Sequence, residues 1–160
     1  MMFSRNSNSR RGRSGLAIGS LVVLGALAIG TPAPSAFGVS ARSSTATAAI
    51  KANWTTFFKG TTPAAKKETL LQNGKAFAAF LAAQAKTAQA RSTTVKVTKV
   101  KLTSKTGARV TYTIYLGGTP VEPNAVGTAL LQDKVWKVSD ASFCALVSLE
   151  GAAPKACSKY

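Results

Sequence analysis

At Thr93 the spacing of apolar residues changes from three or four to two, and nothing else in the chain restricts the fold as strongly. Before that point Ile50, Trp54, Phe57 and Phe58 recur on one face of a helix, with Lys51, Asn53, Thr55 and Lys59 on the other. After it, Val110, Tyr112, Ile114 and Leu116 alternate with Arg109, Thr111, Thr113 and Tyr115, as in a half-buried strand. Helices gathered ahead of strands specify a segregated α+β domain.

The first helix should end at Gly60, a residue suited to the position just past a helix. Thr62 as cap and Pro63 at the first helical position restart the pattern, Leu70 and Leu71 point inward, and Asn73-Gly74 stops it. A third, alanine-rich helix is predicted from about Lys75 to Ala90, with Phe77, Phe80 and Leu81 on one side. Val95 and Val97 share one parity and Val100 and Leu102 the other, so a β-bulge is expected near Thr98-Lys99. Ser104 to Gly107 is a turn and Gly117 to Asn124 a loop. A third strand is predicted over 126–132, turning at Asp133-Lys134 into a fourth from Val135 to Ser139. The stretch Thr128–Cys144 closes the fold, because Trp136 and Val138 share a face that the earlier Phe- and Leu-rich helices must cover. Phe143, Leu146 and Val147 fit a short helix capped by Ser139 or Asp140 and ended by Gly151. The expected architecture is three N-terminal helices packed on a curved four-stranded antiparallel sheet, closed by a short C-terminal helix and a tied tail.

The chain opens with Arg5, Arg10, Arg11 and Arg13, followed by fifteen mostly apolar residues from Leu16 to Gly30. This is the pattern of an export signal, and it falls short of the roughly 20 residues of a spanning helix. Residues 1–41 are therefore read as a signal peptide cut after Val39-Ser40-Ala41, with Gly38 as the other candidate. Arg13-Ser14-Gly15 stands where a twin-arginine signal wants a bulky apolar pair, which favours general secretion. Residues 42–48, rich in Ser, Thr and Ala, read as a flexible lead-in to a single domain over 49–160. An uncleaved signal would instead leave the protein anchored in the envelope. In an oxidising compartment Cys144 and Cys157 are expected to pair.

Three segments carry a family resemblance: Ile50-x-x-x-Trp54-x-x-Phe57-Phe58-x-Gly60, Leu70-Leu71-Gln72-Asn73-Gly74, and Trp136-Lys137-Val138-Ser139-x-Ala141-Ser142-Phe143. They resemble the low-molecular-weight secreted antigens of mycobacteria and related actinobacteria, over about Ala48 to Gly151. The resemblance implies an exported domain of the cone-shaped, nuclear transport factor-like or cystatin-like kind, with no established enzymatic activity and no catalytic residue to carry over. The cysteine pair departs from the family's core pattern.

The chain has no histidine, which removes Ser-His-Asp and Cys-His catalysis and the commonest metal ligand. Its acids, Glu68, Glu122, Asp133, Asp140 and Glu150, form no close pair in sequence. Neither an enzyme nor a cofactor is expected. Tyr112 with Asp140 is the nearest equivalent of the acid and tyrosine that cone-fold isomerases use, although a core aromatic and a helix cap explain them as well. Trp54, Tyr112 and Trp136 could line a cavity for a small apolar ligand, or simply form the core.

There are 21 Lys and Arg against 5 acids, and residues 1–41 hold only four of the basic residues. The excess therefore belongs to the domain. Lys96, Lys99, Lys101, Lys105 and Arg109 fall on the outer face or turn of the first hairpin. They suit contact with an anionic cell-envelope polymer or lipid headgroups. Protection of an exposed strand edge is the competing explanation. Specific nucleic-acid binding is not expected, because only Tyr115 offers a stacking platform among the charges. The leading expectation is a secreted, non-enzymatic binding module, with a cavity-based carrier or isomerase as the alternative and the oligomeric state open.

Overall fold

The computed structural model describes residues 37–151 and 153–160, with backbone alone for 37–40. The expected leader, including Leu16–Gly30, lies outside these residues except at its last few positions. The first helix, α1, spans Phe37–Phe58. It thus takes in the expected cut after Ala41 and residues 42–48, which the sequence reads as a lead-in. The Ser and Thr side chains there bond back into the helix: the hydroxyls of Ser44 and Thr45 donate to the Ala41 carbonyl at 2.8 and 2.9 Å. Such local bonding satisfies the polar side chains without ending the helix.

Two further corrections concern the helices. Helix α2 (Ala64–Leu70) has Pro63, not Thr62, at its cap position, and no side chain caps it. Its last residue is Leu70 because Leu71 turns extended to form an isolated parallel bridge with Val138, while the Gln72 N–H donates to the Val138 carbonyl at 2.8 Å. The expected single helix over Lys75–Ala90 is three pieces: a 3-10 turn (Gly74–Phe77), α3 (Ala78–Gln84) and α4 (Ala88–Arg91). Thr87 makes the break. It is extended, and its hydroxyl accepts from the Ala90 N–H at 3.1 Å, starting a new helix where alanine content alone would continue the old one.

The four strands are β1 (Thr93–Leu102), β2 (Gly107–Leu116), β3 (Thr119–Gln132) and β4 (Val135–Val138), paired antiparallel in chain order. The β1–β2 register slips between Val97 and Lys99, where the change of parity places a bulge. Strand β3 begins well before residue 126. Gly117 and Gly118, both at positive φ, make a two-residue turn in place of the expected loop. Pro120 and Pro123 are tolerated because β4 pairs only with Ala129–Gln132, leaving the far side of the earlier part of β3 without a strand neighbour. Two more register slips flank Ile114. Asp133 and Lys134, both at positive φ, form the expected turn into β4.

The helices cover one face of this sheet. Val110, Tyr112, Ala129 and Val138 are buried on that face with Trp54, Phe57, Leu71 and Phe77. Trp54 lies 5.4 Å from the ring of Tyr112, and Phe58 stacks on Tyr112 at 5.5 Å. Phe143 from the last helix, α5 (Asp140–Leu149), meets Phe57, Phe77 and Phe80 edge-on at 5.8, 5.2 and 5.9 Å. Each such aromatic pair adds about 0.5–1.5 kcal/mol beyond its burial. Of the two caps the sequence offers, Ser139 is the one used: it accepts from the Ser142 N–H, and Asp140 is the first residue of α5. The Cys144–Cys157 disulfide ties down a final 3-10 turn (Lys155–Lys159).

Candidate functional site

The opposite face of the sheet is open, and the bulge at Thr98 decides what it carries. In an unbroken strand, residues 96, 98 and 100 would share a face. The extra residue shifts the phase, so Val100 and Leu102 stay inward with Val95 and Val97 while Lys96, Lys99 and Lys101 all point out and are exposed. The Thr98 hydroxyl donates to the Thr111 carbonyl at 3.1 Å and so uses the irregular backbone.

Across the hairpin, Lys101 is directly paired with Arg109, Lys99 with Thr111 and Lys96 with Thr113. Lys105 stands in the connecting turn, exposed. All five predicted basic residues thus belong to one hairpin. Among the described residues, the one ion pair on this sheet is Lys137 to Asp133 at 3.2 Å, on β4. Like charges directly opposite each other in a ladder are destabilising. The Lys101–Arg109 pair keeps that cost with no carboxylate bound to either residue. Thr111 of β2 pairs with Lys99 and Thr128 of β3 with Arg109, and Tyr115, paired with Thr94, is the aromatic of this hairpin face.

The predicted cavity residues lie elsewhere. Trp54 and Tyr112 are 1% and 2% exposed in the aromatic core. Burial, and then the charge of Glu122, raise the Tyr112 hydroxyl pKa well above its ordinary value. Trp136 is buried on the inner face of β4, and its carbonyl accepts from Asn53 Nδ2 at 2.9 Å. The structure does contain an apolar groove of about 480 Å³, but its walls are Phe57, Phe58, Phe80, Leu116 and Leu146, with Lys67, Gln84 and Glu150 among its polar groups. Sequence periodicity assigns Phe80 and Leu146 to the core. The break at Thr87, which shapes this end of the molecule, leaves only a threonine as its signal.

Asp140 pairs with a tyrosine other than Tyr112. It is 1% exposed, and its Oδ2 accepts from Asn73 Nδ2 at 2.6 Å and from the Tyr160 hydroxyl at 2.9 Å. The Gln72 Oε1 accepts from the Asp140 N–H at 3.2 Å. The hydrogen bond to Asp140 raises the Tyr160 hydroxyl pKa. As the first residue of α5, Asp140 also sets its charge against the positive end of the helix. These contacts make it a fastening point among α2, α5 and the tail.

The family model described as low molecular weight antigen MTB12, C-terminal domain, matches residues 43–154. Cys157 and Tyr160, which fasten the tail, lie beyond the matched span. No curated protein and no solved structure matches the chain.

Proposed function

Because the chain belongs to the family of the low molecular weight antigen MTB12, through its C-terminal domain, we propose that it is an exported, non-enzymatic binding module. Its open sheet face would take up an anionic polymer of the cell envelope. One observation carries this reading: Lys101 and Arg109 face each other across the hairpin without a carboxylate. In the isolated protein that pair is repulsive, whereas a polyanion lying across the strands would turn each repulsion into an attraction. The spread of cations along one hairpin suits a linear chain of negative groups better than a single small anion. The arginine-rich start and apolar run of residues 5–30 support export, and the disulfide is consistent with it. The register slips at Thr98 and beside Ile114 favour the curved, cone-like sheet of the nuclear transport factor-like folds.

Retention of the full chain on purified anionic envelope polymer, measured as salt rises, tests this. The expected result is retention that falls steeply with salt and is lost when Lys99, Lys101 and Lys105 are changed to Glu. A charge-matched variant with Lys51, Lys59 and Lys86 changed to Glu should be retained. Equal loss in both variants would reduce the effect to net charge, and unchanged retention in the first would remove the hairpin from the mechanism. Retention on anionic vesicles but not on polymer would reassign the face to lipid headgroups.

A further inference from the structure

The apolar groove lies between the end of α1, the α3–α4 break, α5 and the end of the sheet, away from the Lys99–Lys101 face. Phe57, Phe58, Phe80, Leu116 and Leu146 give it hydrocarbon walls. Its volume of about 480 Å³ lies in the range of small-molecule sites. One cation is set into this wall. Lys67 of α2 lines the groove half-buried and has no ion-pair partner among the described residues. Burial lowers its pKa, as expected of an ammonium held against apolar surface. Glu150 is the carboxylate of the groove, and its Oε2 accepts from Gln84 Nε2 at 3.1 Å, which holds it to α3. A desolvated cation beside a hydrocarbon channel is costly alone and complementary to one kind of ligand.

We propose that this groove binds a long-chain fatty carboxylate, the chain lying along Phe57, Phe80 and Leu146 and the head group meeting Lys67. The ammonium and the carboxylate then form a charge-assisted hydrogen bond against the half-buried wall of the groove. Glu150, fixed by Gln84, repels any anion placed near it, so the groove offers one cation for a head group and apolar walls for a chain. A free fatty acid fits both demands, having one charge and one chain.

Titration calorimetry of the full chain with laurate, dodecanol and dodecyltrimethylammonium, each below its micelle concentration, tests the assignment. The expected result is one saturable equivalent of laurate, bound at least about tenfold more tightly than dodecanol. The cationic amphiphile should bind weakest. Lys67→Gln should abolish the preference for laurate while leaving dodecanol unchanged, Lys67→Arg should restore it, and Leu146→Gln should weaken both ligands. Laurate held instead by the apolar run of residues 16–30 would be indifferent to Lys67. A laurate preference that survives Lys67→Gln, absence of saturation, or equal binding of the cationic amphiphile would overturn the proposal.

Discussion

Asn73 Nδ2 donates to Asp140 Oδ2 over 2.6 Å although 67 residues separate them, and the same oxygen accepts from the Tyr160 hydroxyl. One buried carboxylate thereby joins the bend after α2, the start of α5 and the end of the chain. Asp140→Ala leaves the Asn73 amide without its acceptor, releases the exposed Tyr160 hydroxyl to water and removes the charge at the helix start, and should cost about 2–4 kcal/mol. Asp140→Asn keeps the shape and part of the bonding and should cost less. Urea unfolding of the two variants checks the order, and equal stability of Asp140→Ala and the parent would contradict this role.

The same bond controls an alkaline titration. A tyrosine whose folded pKa is raised stabilises the fold fully below its unfolded value near 10, and that contribution disappears as pH rises through the folded pKa. Stability should therefore decline above about pH 10 as Tyr112 and Tyr160 are forced to ionise. Phenolate absorbance should rise later than in the denatured chain. Asp140→Asn should bring the Tyr160 transition to lower pH and leave that of Tyr112 in place.

Lys101→Glu should move stability and binding in opposite directions. Opposite charges would then face each other at the Lys101–Arg109 position, adding about 0.2–1 kcal/mol. Retention on anionic polymer should weaken at the same time. Thermal unfolding and salt elution of the one variant measure both, and a loss of stability would mean the cations are not in conflict in the free protein.

Gly127 leaves room for Trp54. A Cβ there would stand 3.0 Å from Trp54 Cζ2 and 3.1 Å from the Ser142 hydroxyl, which also accepts from the Thr128 N–H at 2.7 Å. Gly127→Ala should cost about 1–3 kcal/mol through forced repacking. The near-ultraviolet dichroism of Trp54 should change with it, and an unaltered spectrum with full stability would show that the indole yields freely.

Removing the disulfide as the double variant Cys144→Ser, Cys157→Ser should lower stability by at most about 3 kcal/mol, since the closed loop is short. Loss of the Tyr160 bond to Asp140 should accompany it, visible as a fall in the Tyr160 transition pH. A retained transition would show that the tyrosine holds the tail without the covalent tie.

Strand parity made the sheet legible in the sequence. The switch between Val97 and Val100 located the bulge and Asp133-Lys134 the last turn, and the cap of α5 was narrowed to Ser139 or Asp140. Four of the hairpin cations were legible for the same reason, because Lys96, Lys99, Lys101 and Arg109 follow from alternation once the bulge is placed, and Lys105 follows from the turn. The helices were less so. Alanine favours continuation everywhere, so the break at Thr87 depends on one hydroxyl finding the Ala90 N–H. The end of α2 depends on Leu71 meeting Val138, a contact that no local pattern encodes. The groove borders the break at Thr87, so its lining was not readable from periodicity, and Trp54, Tyr112 and Trp136 stood as the cavity candidates.

The pairing of Leu71 and Gln72 with Val138 has a consequence for how molecules could join. It occupies the outer rim of β4, while Ser139 and Ser142 engage the backbone of Thr128 and prolines interrupt the rim of β3 beyond. Among the described residues, β1 is the remaining rim, and the bulge at Thr98 with the exposed Lys96, Lys99 and Lys101 guards it against strand addition. A sheet with every rim covered or guarded in this way offers no free edge for another sheet to extend.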